Sequence, residues 1–253
     1  MFSNQVHSTL KKLGLKKSDI VMIHGDAIVS AQLKIKKFEE DPLNVFLNSL
    51  IDYFYPNGTI VVPAFSYCMN EDKLFDKLYT QSEVGLFSEK FRKKKNILRS
   101  NHPMFSISAI GKYSKNLTEY NLLDCFGKNS FFDIFTKLNG KILCLGCPLE
   151  RITYLHYVEQ KFKVHYRYMK KFSCAYKNND KIIKTKISYY VRDLNKNASL
   201  DFKYFTPKIR NILKVTKFGR FKFQLIEANK LLKKSKILLK KYPNILVGNK
   251  DAI

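Results

Sequence analysis

The chain has 253 residues, 45% of them hydrophobic, with 20 Phe and 15 Tyr, enough to close one large core, and it reads as one domain over residues 1–253. No run approaches the roughly 20 consecutive apolar residues of a membrane-spanning helix, and Met1-Phe2-Ser3-Asn4-Gln5-Val6-His7 lacks the basic-then-apolar order of a secretory leader, so the expected compartment is the cytoplasm. Lys and Arg number 46 against 21 Asp and Glu, a formal charge of +25 that concerns partners rather than fold and points to something anionic.

A helix is predicted over Val6–Leu13 with Gly14 as its stop, then a strand over Asp19–Asp26. A second helix runs from Pro42 to Tyr55, and Pro56-Asn57-Gly58 breaks it. Thr59-Ile60-Val61-Val62, ending at Pro63, has the β-branched character of a strand buried on both faces. Lys141-Ile142-Leu143-Cys144-Leu145-Gly146 is a third strand, entered through Asn139-Gly140 and followed by a helix from about Thr153. From Tyr176 to Phe205 the chain is Lys-rich and alternating, with Ile187–Val191 as a member of an antiparallel pair. A last helix, Glu227–Lys240, follows Phe218-Gly219-Arg220. Apolar strands alternating with amphipathic helices argue for an α/β domain with a mostly parallel, sandwiched sheet and a small antiparallel addition.

In such sheets ligands sit beyond the carboxyl ends of the strands. That rule selects His24-Gly25-Asp26, Pro63-Ala64-Phe65-Ser66 and the stretch from Gly146 to Thr153.

Cys68, Cys125, Cys144, Cys147 and Cys174 are an odd set, as expected of reduced thiols rather than a disulfide framework. Cys144-Leu-Gly-Cys147 has redox or metal spacing. Its first Cys lies in an apolar run and no second such pair exists, so buried thiols are expected.

His156 and Glu159 lie one turn apart on the helix that Thr153 is placed to cap. A positive helix end disfavours imidazolium, and a carboxylate neighbour fixes the tautomer, which suits a general base. The same pair on another helix is a surface contact of little energy. Of the five histidines, His24, His102 and His156 border the predicted cleft. As zinc ligands they would lack any local ligand spacing, so no metal is expected. Arg99-Ser100-Asn101-His102-Pro103 is a second polar cluster, either a loop that holds a cofactor or a turn around a satisfied histidine.

The order of these segments resembles the aminoglycoside 3-N-acetyltransferase (antibiotic N-acetyltransferase) family. The similarity is carried by Val21–His24, Gly58–Ser66, Gly85–Arg92, Arg99–Pro103 with Ser106 and Gly111, Gly127–Ser130, Lys141–Gly146, Thr153–Glu159 and Gly219. The resemblance implies a three-layer α/β/α sandwich that moves an acetyl group from acetyl-CoA to a primary amine without a covalent enzyme intermediate. It implies catalysis by His156 with Glu159 as its carboxylate partner, and coenzyme contacts at Asp26, Ser66, Ser100 and His102. His24 and Glu89 become candidates for acceptor contact. The chain departs from the family where His24-Gly25-Asp26 replaces the usual His-Ser-Ser, losing two hydroxyls, and where Phe131 follows Ser130 in place of Pro.

Aminoglycosides are polycations, and a charge of +25 opposes their capture. The expected acceptor is therefore an amino sugar, nucleotide-linked and anionic, used in cell-surface glycan synthesis; an aminoglycoside is the alternative. A homodimer is allowed for as the assembly. A reading of another class, a basic nucleic-acid-binding protein on an inactivated transferase fold, predicts steeply salt-dependent binding, although no organised nucleic-acid-binding motif is present.

Overall fold

A computed structural model describes residues 2–33, 41–196 and 198–248. The chain opens with α1 (Phe2–Lys12), followed by β1 (Ile20–Gly25), whose first five residues are buried. α2 (Pro42–Phe54) begins where the Asp41 carboxylate accepts the Leu43 N–H and Pro42 supplies the first turn. Next come β2 (Thr59–Pro63), α3 (Leu86–Arg92), β3 (Leu98–Arg99), β4 (Ile107–Gly111), α4 (Ser114–Thr118), α5 (Phe131–Lys137), β5 (Lys141–Leu145) and α6 (Tyr154–Lys161). The hairpin β6 (Arg167–Asn178) and β7 (Lys181–Arg192), then α7 (Phe205–Ile209), the hairpin β8 (Leu213–Phe218) and β9 (Phe221–Glu227), and α8 (Ala228–Lys241) complete the order.

One sheet has the strand order β3-β4-β2-β1-β5-β9-β8. At its centre β1 pairs in parallel with β2 and with β5. β4 runs against β2, β3 against β4, β9 against β5 and β8 against β9. β3, β2, β1, β5 and β8 thus share one direction, which β4 and β9 oppose.

Alternate residues of β1 enter separate cores, which explains its unbroken apolar run. Val21 and Ile23 pack with Phe46 and Leu50 of α2 and Phe87 of α3, whereas Ile20 and Met22 face the side holding Phe135 of α5, Val158 of α6 and Leu231 of α8. Helices therefore cover both faces, and the domain is the expected α/β/α sandwich. The β6–β7 hairpin forms its own two-stranded sheet and touches the body through the Asp124–Ser188 and Phe75–Tyr176 bridges.

Two antiparallel hairpins were not expected from the sequence. β3–β4 extends one side of the sheet and β8–β9 the other. Phe218-Gly219-Arg220, read as the entry to the last helix, is the turn of the second hairpin. Gly219 has φ +57°, and a Cβ there would lie 2.1 Å from the Gln32 side-chain oxygen, so only glycine closes this turn without displacement.

Candidate active site

β1, β2 and β5 end on the same edge, and the loop from β5 leads into α6, where His156 occupies the first turn. Thr153 stands just before the helix, but its backbone is already helical (φ −59°, ψ −23°) and its hydroxyl caps nothing. The capping role given to it from sequence is corrected. Its carbonyl instead accepts the His156 N–H at 3.0 Å, starting the helix one turn tighter.

His156 Nδ1 lies 2.8 Å from Glu159 Oε2. The Glu159 side chain is wholly buried and that of His156 is 22% exposed. The carboxylate assigns the proton to Nδ1 and leaves Nε2 free to accept one. Burial by itself would raise the Glu159 pKa. The bond from His156 and the charge of Arg167 outweigh it and hold the carboxyl below its usual range. Arg167, at the start of β6, places Nε 2.9 Å from the same oxygen, within ion-pair range although its N–H is not aligned for a hydrogen bond. Its Nη1 donates to the Tyr190 carbonyl at 3.3 Å. The Tyr166 hydroxyl also faces Glu159 and is pushed up by burial and by that carboxylate.

Phe126 presents its ring to His156 at 5.7 Å, and it packs in turn on Phe105 at 5.0 Å. Phe105 meets His102 at 6.1 Å, so a file of rings joins the two histidines. The loop carrying Phe126 is held by Asp124, whose carboxylate accepts both the Phe126 N–H and the Gln160 side-chain amide of α6. Arg167, Tyr166 and Phe126 were not singled out from sequence. Arg167 is one of 46 cationic residues, and nothing local marks the one that is buried.

The other residues named from sequence divide by how their polar atoms are spent. Ser66 is fully buried and donates to the Pro103 carbonyl at 2.9 Å. Ser100 accepts the Ile107 N–H and bonds the Tyr120 hydroxyl, both at 3.0 Å. Their side chains frame the Arg99–Pro103 loop, each hydroxyl already holding an internal partner. Glu89 grips Arg92 through both oxygens at 2.6 and 2.7 Å and also accepts the Ser82 N–H, which locks α3.

His102 accepts two backbone N–H groups on Nδ1, from Met104 at 3.2 Å and Phe105 at 3.0 Å, which makes it the core of its turn. Nε2 then carries the proton and has no protein partner. Burial lowers its pKa to about 3. His24 is likewise buried, lowered by burial to about 4, with Nε2 unpartnered. Asp26 is exposed, and its carboxylate caps a short 3-10 turn by accepting the Ile28 N–H at 3.1 Å. Cys144 is buried as expected. Cys147 is only partly so, and the buried-thiol reading is corrected for it.

Among the described residues no group of His, Cys, Asp and Glu side chains converges as a metal site would require, and no helix is long and apolar enough to cross a membrane. A cavity of about 750 Å³ opens at the β3 edge beside Arg99 and Asn101, and neither His156 nor Glu159 lines it.

This architecture is that of solved aminoglycoside acetyltransferases. AAC(3)-Xa superposes with a TM-score of 0.80 at 17% identity, covering 98% of this chain and 95% of that one. AAC-IIIb in binary complex with CoASH gives 0.77 at 20% identity over 95% of this chain and 97% of that one. In sequence, aminoglycoside N(3)-acetyltransferase III of Acinetobacter baumannii is 29% identical over 173 residues, 61% of this chain and 58% of the relative, so the match spans little more than half of that protein. Residues 28–240 match the family described as aminoglycoside 3-N-acetyltransferase, and the chain belongs to that family.

Proposed function

We propose that the chain is an acetyl-CoA-dependent N-acetyltransferase in which His156 removes the proton of an acceptor amine. The observation that carries this reading is the His156–Glu159 pair: Nδ1 is tied to a buried carboxylate and the ring remains partly exposed at the strand-end edge. Acetyl-CoA is the second substrate and supplies the acyl group as a thioester. A neutral amine needs no covalent help to attack a thioester, so the protein must align it, take its proton and favour the developing charge. As the N–C bond forms and the C–S bond breaks, His156 Nε2 receives the amine proton. Glu159 stabilises the resulting imidazolium without itself leaving its buried position. The proton then passes to the departing thiolate, and His156 returns neutral.

The residues fit an anionic donor in part. The charge of +25 favours a phosphate-bearing molecule. The unspent Nε2–H of His102 is a donor within the Arg99–Pro103 loop, whereas the exposed Asp26 carboxylate would oppose a phosphate beside it.

Family membership and the relatives' names favour an aminoglycoside amine as acceptor. The net charge favours a second acceptor, a nucleotide-linked amino sugar of cell-surface glycan synthesis. Purified protein with acetyl-CoA and panels of both acceptors, followed by thiol release and product mass, decides between them. Turnover of neither, with nucleic-acid binding that is tight, steeply salt-dependent and indifferent to His156→Ala, would replace the transferase reading with a binding role.

A further inference from the structure

Cys144 and Cys147 are bracketed by the same two residues. The Cα of Cys144, in β5, lies opposite His24 of β1 on one side and Gln224 of β9 on the other. Gly146 then turns the chain back through a left-handed φ of +69°. Cys147 returns to both neighbours: its Sγ is 3.2 Å from the His24 carbonyl oxygen, and its own carbonyl accepts the Gln224 side-chain amide at 3.3 Å. Both side chains enter the core that also holds α6. Cys144 is fully buried and Cys147 is partly open, whereas Cys68, Cys125 and Cys174 are buried.

The two thiols differ in acidity in the sense that exchange chemistry requires. A hydrogen bond from Cys144 draws the Cys147 thiol below its usual range against the opposing effect of burial, and the same bond, with burial, pushes Cys144 well above. Cys147, the more exposed sulfur, is the one an outside disulfide meets first, and Cys144 stands behind it across the Gly146 turn.

We propose that Cys144 and Cys147 form a redox dithiol that exchanges with small-molecule disulfides, Cys147 attacking first and Cys144 resolving the mixed disulfide. In the first step the Cys147 thiolate attacks one sulfur of a disulfide RSSR. A Cys147–SR bond forms and RS⁻ leaves with the proton that Cys147 had given up. In the second, Cys144 loses its proton and attacks the Cys147 sulfur. The Cys144–Cys147 disulfide forms, and the second RS⁻ leaves and takes that proton. Two protein thiols are oxidised and one external disulfide is reduced to two thiols. Closing the bridge draws the Cys147 sulfur from the His24 carbonyl and fixes the turn that leads to α6. On the transferase reading this lowers acyl transfer, but the thiol chemistry stands without that reading.

The test is intact mass and peptide mapping of the folded protein after incubation with oxidised glutathione. The wild type should lose two hydrogens, with the bridge mapped to Cys144–Cys147 and reversed by dithiothreitol, while Cys68, Cys125 and Cys174 stay reduced. Cys144→Ala should stop at a glutathione adduct on Cys147, and Cys147→Ala should take up no adduct. Wild-type protein that forms no bridge, or that is modified equally at the three buried cysteines, overturns the proposal whether or not the variants fold. Acyl transfer unaffected by a mapped bridge would overturn only the consequence for activity.

Discussion

The Arg167 guanidinium stands 2.9 Å from the Glu159 oxygen that bonds His156. A fully buried carboxylate is therefore held ionised from two sides, by the histidine it orients and by an arginine that touches no exposed surface of the site. Removing one partner of such a buried pair leaves the other charge uncompensated, at a cost of about 3–5 kcal/mol.

Arg167→Met should accordingly lower stability by about 3 kcal/mol and change the pH dependence of transfer. Without the guanidinium, Glu159 binds a proton at higher pH than in the wild type, where its pKa is held below the usual range. A protonated Glu159 no longer supports imidazolium, so the acid limb of kcat moves upward in pH. Arg167→Lys should restore part of the shift. An unmoved acid limb in both variants would reduce Arg167 to a packing residue.

His156→Ala is expected to lower kcat by about 10²- to 10⁴-fold, the usual worth of a positioned base, with coenzyme A binding by calorimetry nearly unchanged. Glu159→Gln should lower the rate less. It should also destabilise the protein more than His156→Ala, because it strands Arg167 in the core. Normal turnover by both variants would reject the assignment even with the fold intact.

The elements that sequence made legible are those whose burial is two-sided or whose ends are marked. β1, β2 and β5 announce themselves as unbroken apolar runs, and α2 by Pro42 at its start and Pro56-Asn57-Gly58 at its end. β3, two residues long, and β8, whose middle residues are largely exposed, lie at the sheet edges and carry no such run. His156 and Glu159 were visible because one helix turn joins them. Arg167 was not, because a strand start and a tertiary contact bring it to them. The polarity of Ser66, Ser100 and Glu89 was visible, but not that their partners were internal, since a hydroxyl that binds a ligand and one that binds a carbonyl look alike in sequence.

Glu89 offers a clean contrast. Its pKa falls from an ordinary 4.5 to about 2; burial opposes the change, and Arg92, the Ser82 N–H and Lys93 overcome it. A lowered carboxyl contributes stability that is present above its unfolded value and is lost as pH falls from 4.5 toward 2. Glu89→Gln should therefore cost several degrees of Tm at pH 7 and progressively less toward pH 2, with the acceptor KM unchanged. A raised KM at unchanged Tm would instead place Glu89 at the acceptor site.

His24 and His102 act over a different range. Both are buried neutral, with pKa values of about 4 and about 3 against an ordinary 6.5. The unfolded chain binds protons there that the folded one refuses, so their contribution is complete above pH 6.5 and is lost as pH falls. Each should remove about 1.4 kcal/mol per pH unit below that point. Urea unfolding at pH 7, 6 and 5 measures the slope. A slope unaltered by His24→Gln would mean that His24 is not buried neutral.

Ionic strength separates the two acceptors without a structure of either bound. At saturating acetyl-CoA only the acceptor's encounter with a protein of formal charge +25 remains in kcat/KM. Salt screens repulsion and attraction alike over about 10 Å at 0.1 M. For a polycationic aminoglycoside, kcat/KM should rise between low and moderate salt, because screening removes a barrier to approach. For a nucleotide-linked amino sugar it should fall over the same interval, because screening removes an attraction. A flat profile for both would mean that the lysines lie too far from the cleft to steer anything, and the net charge would then carry no information about the acceptor.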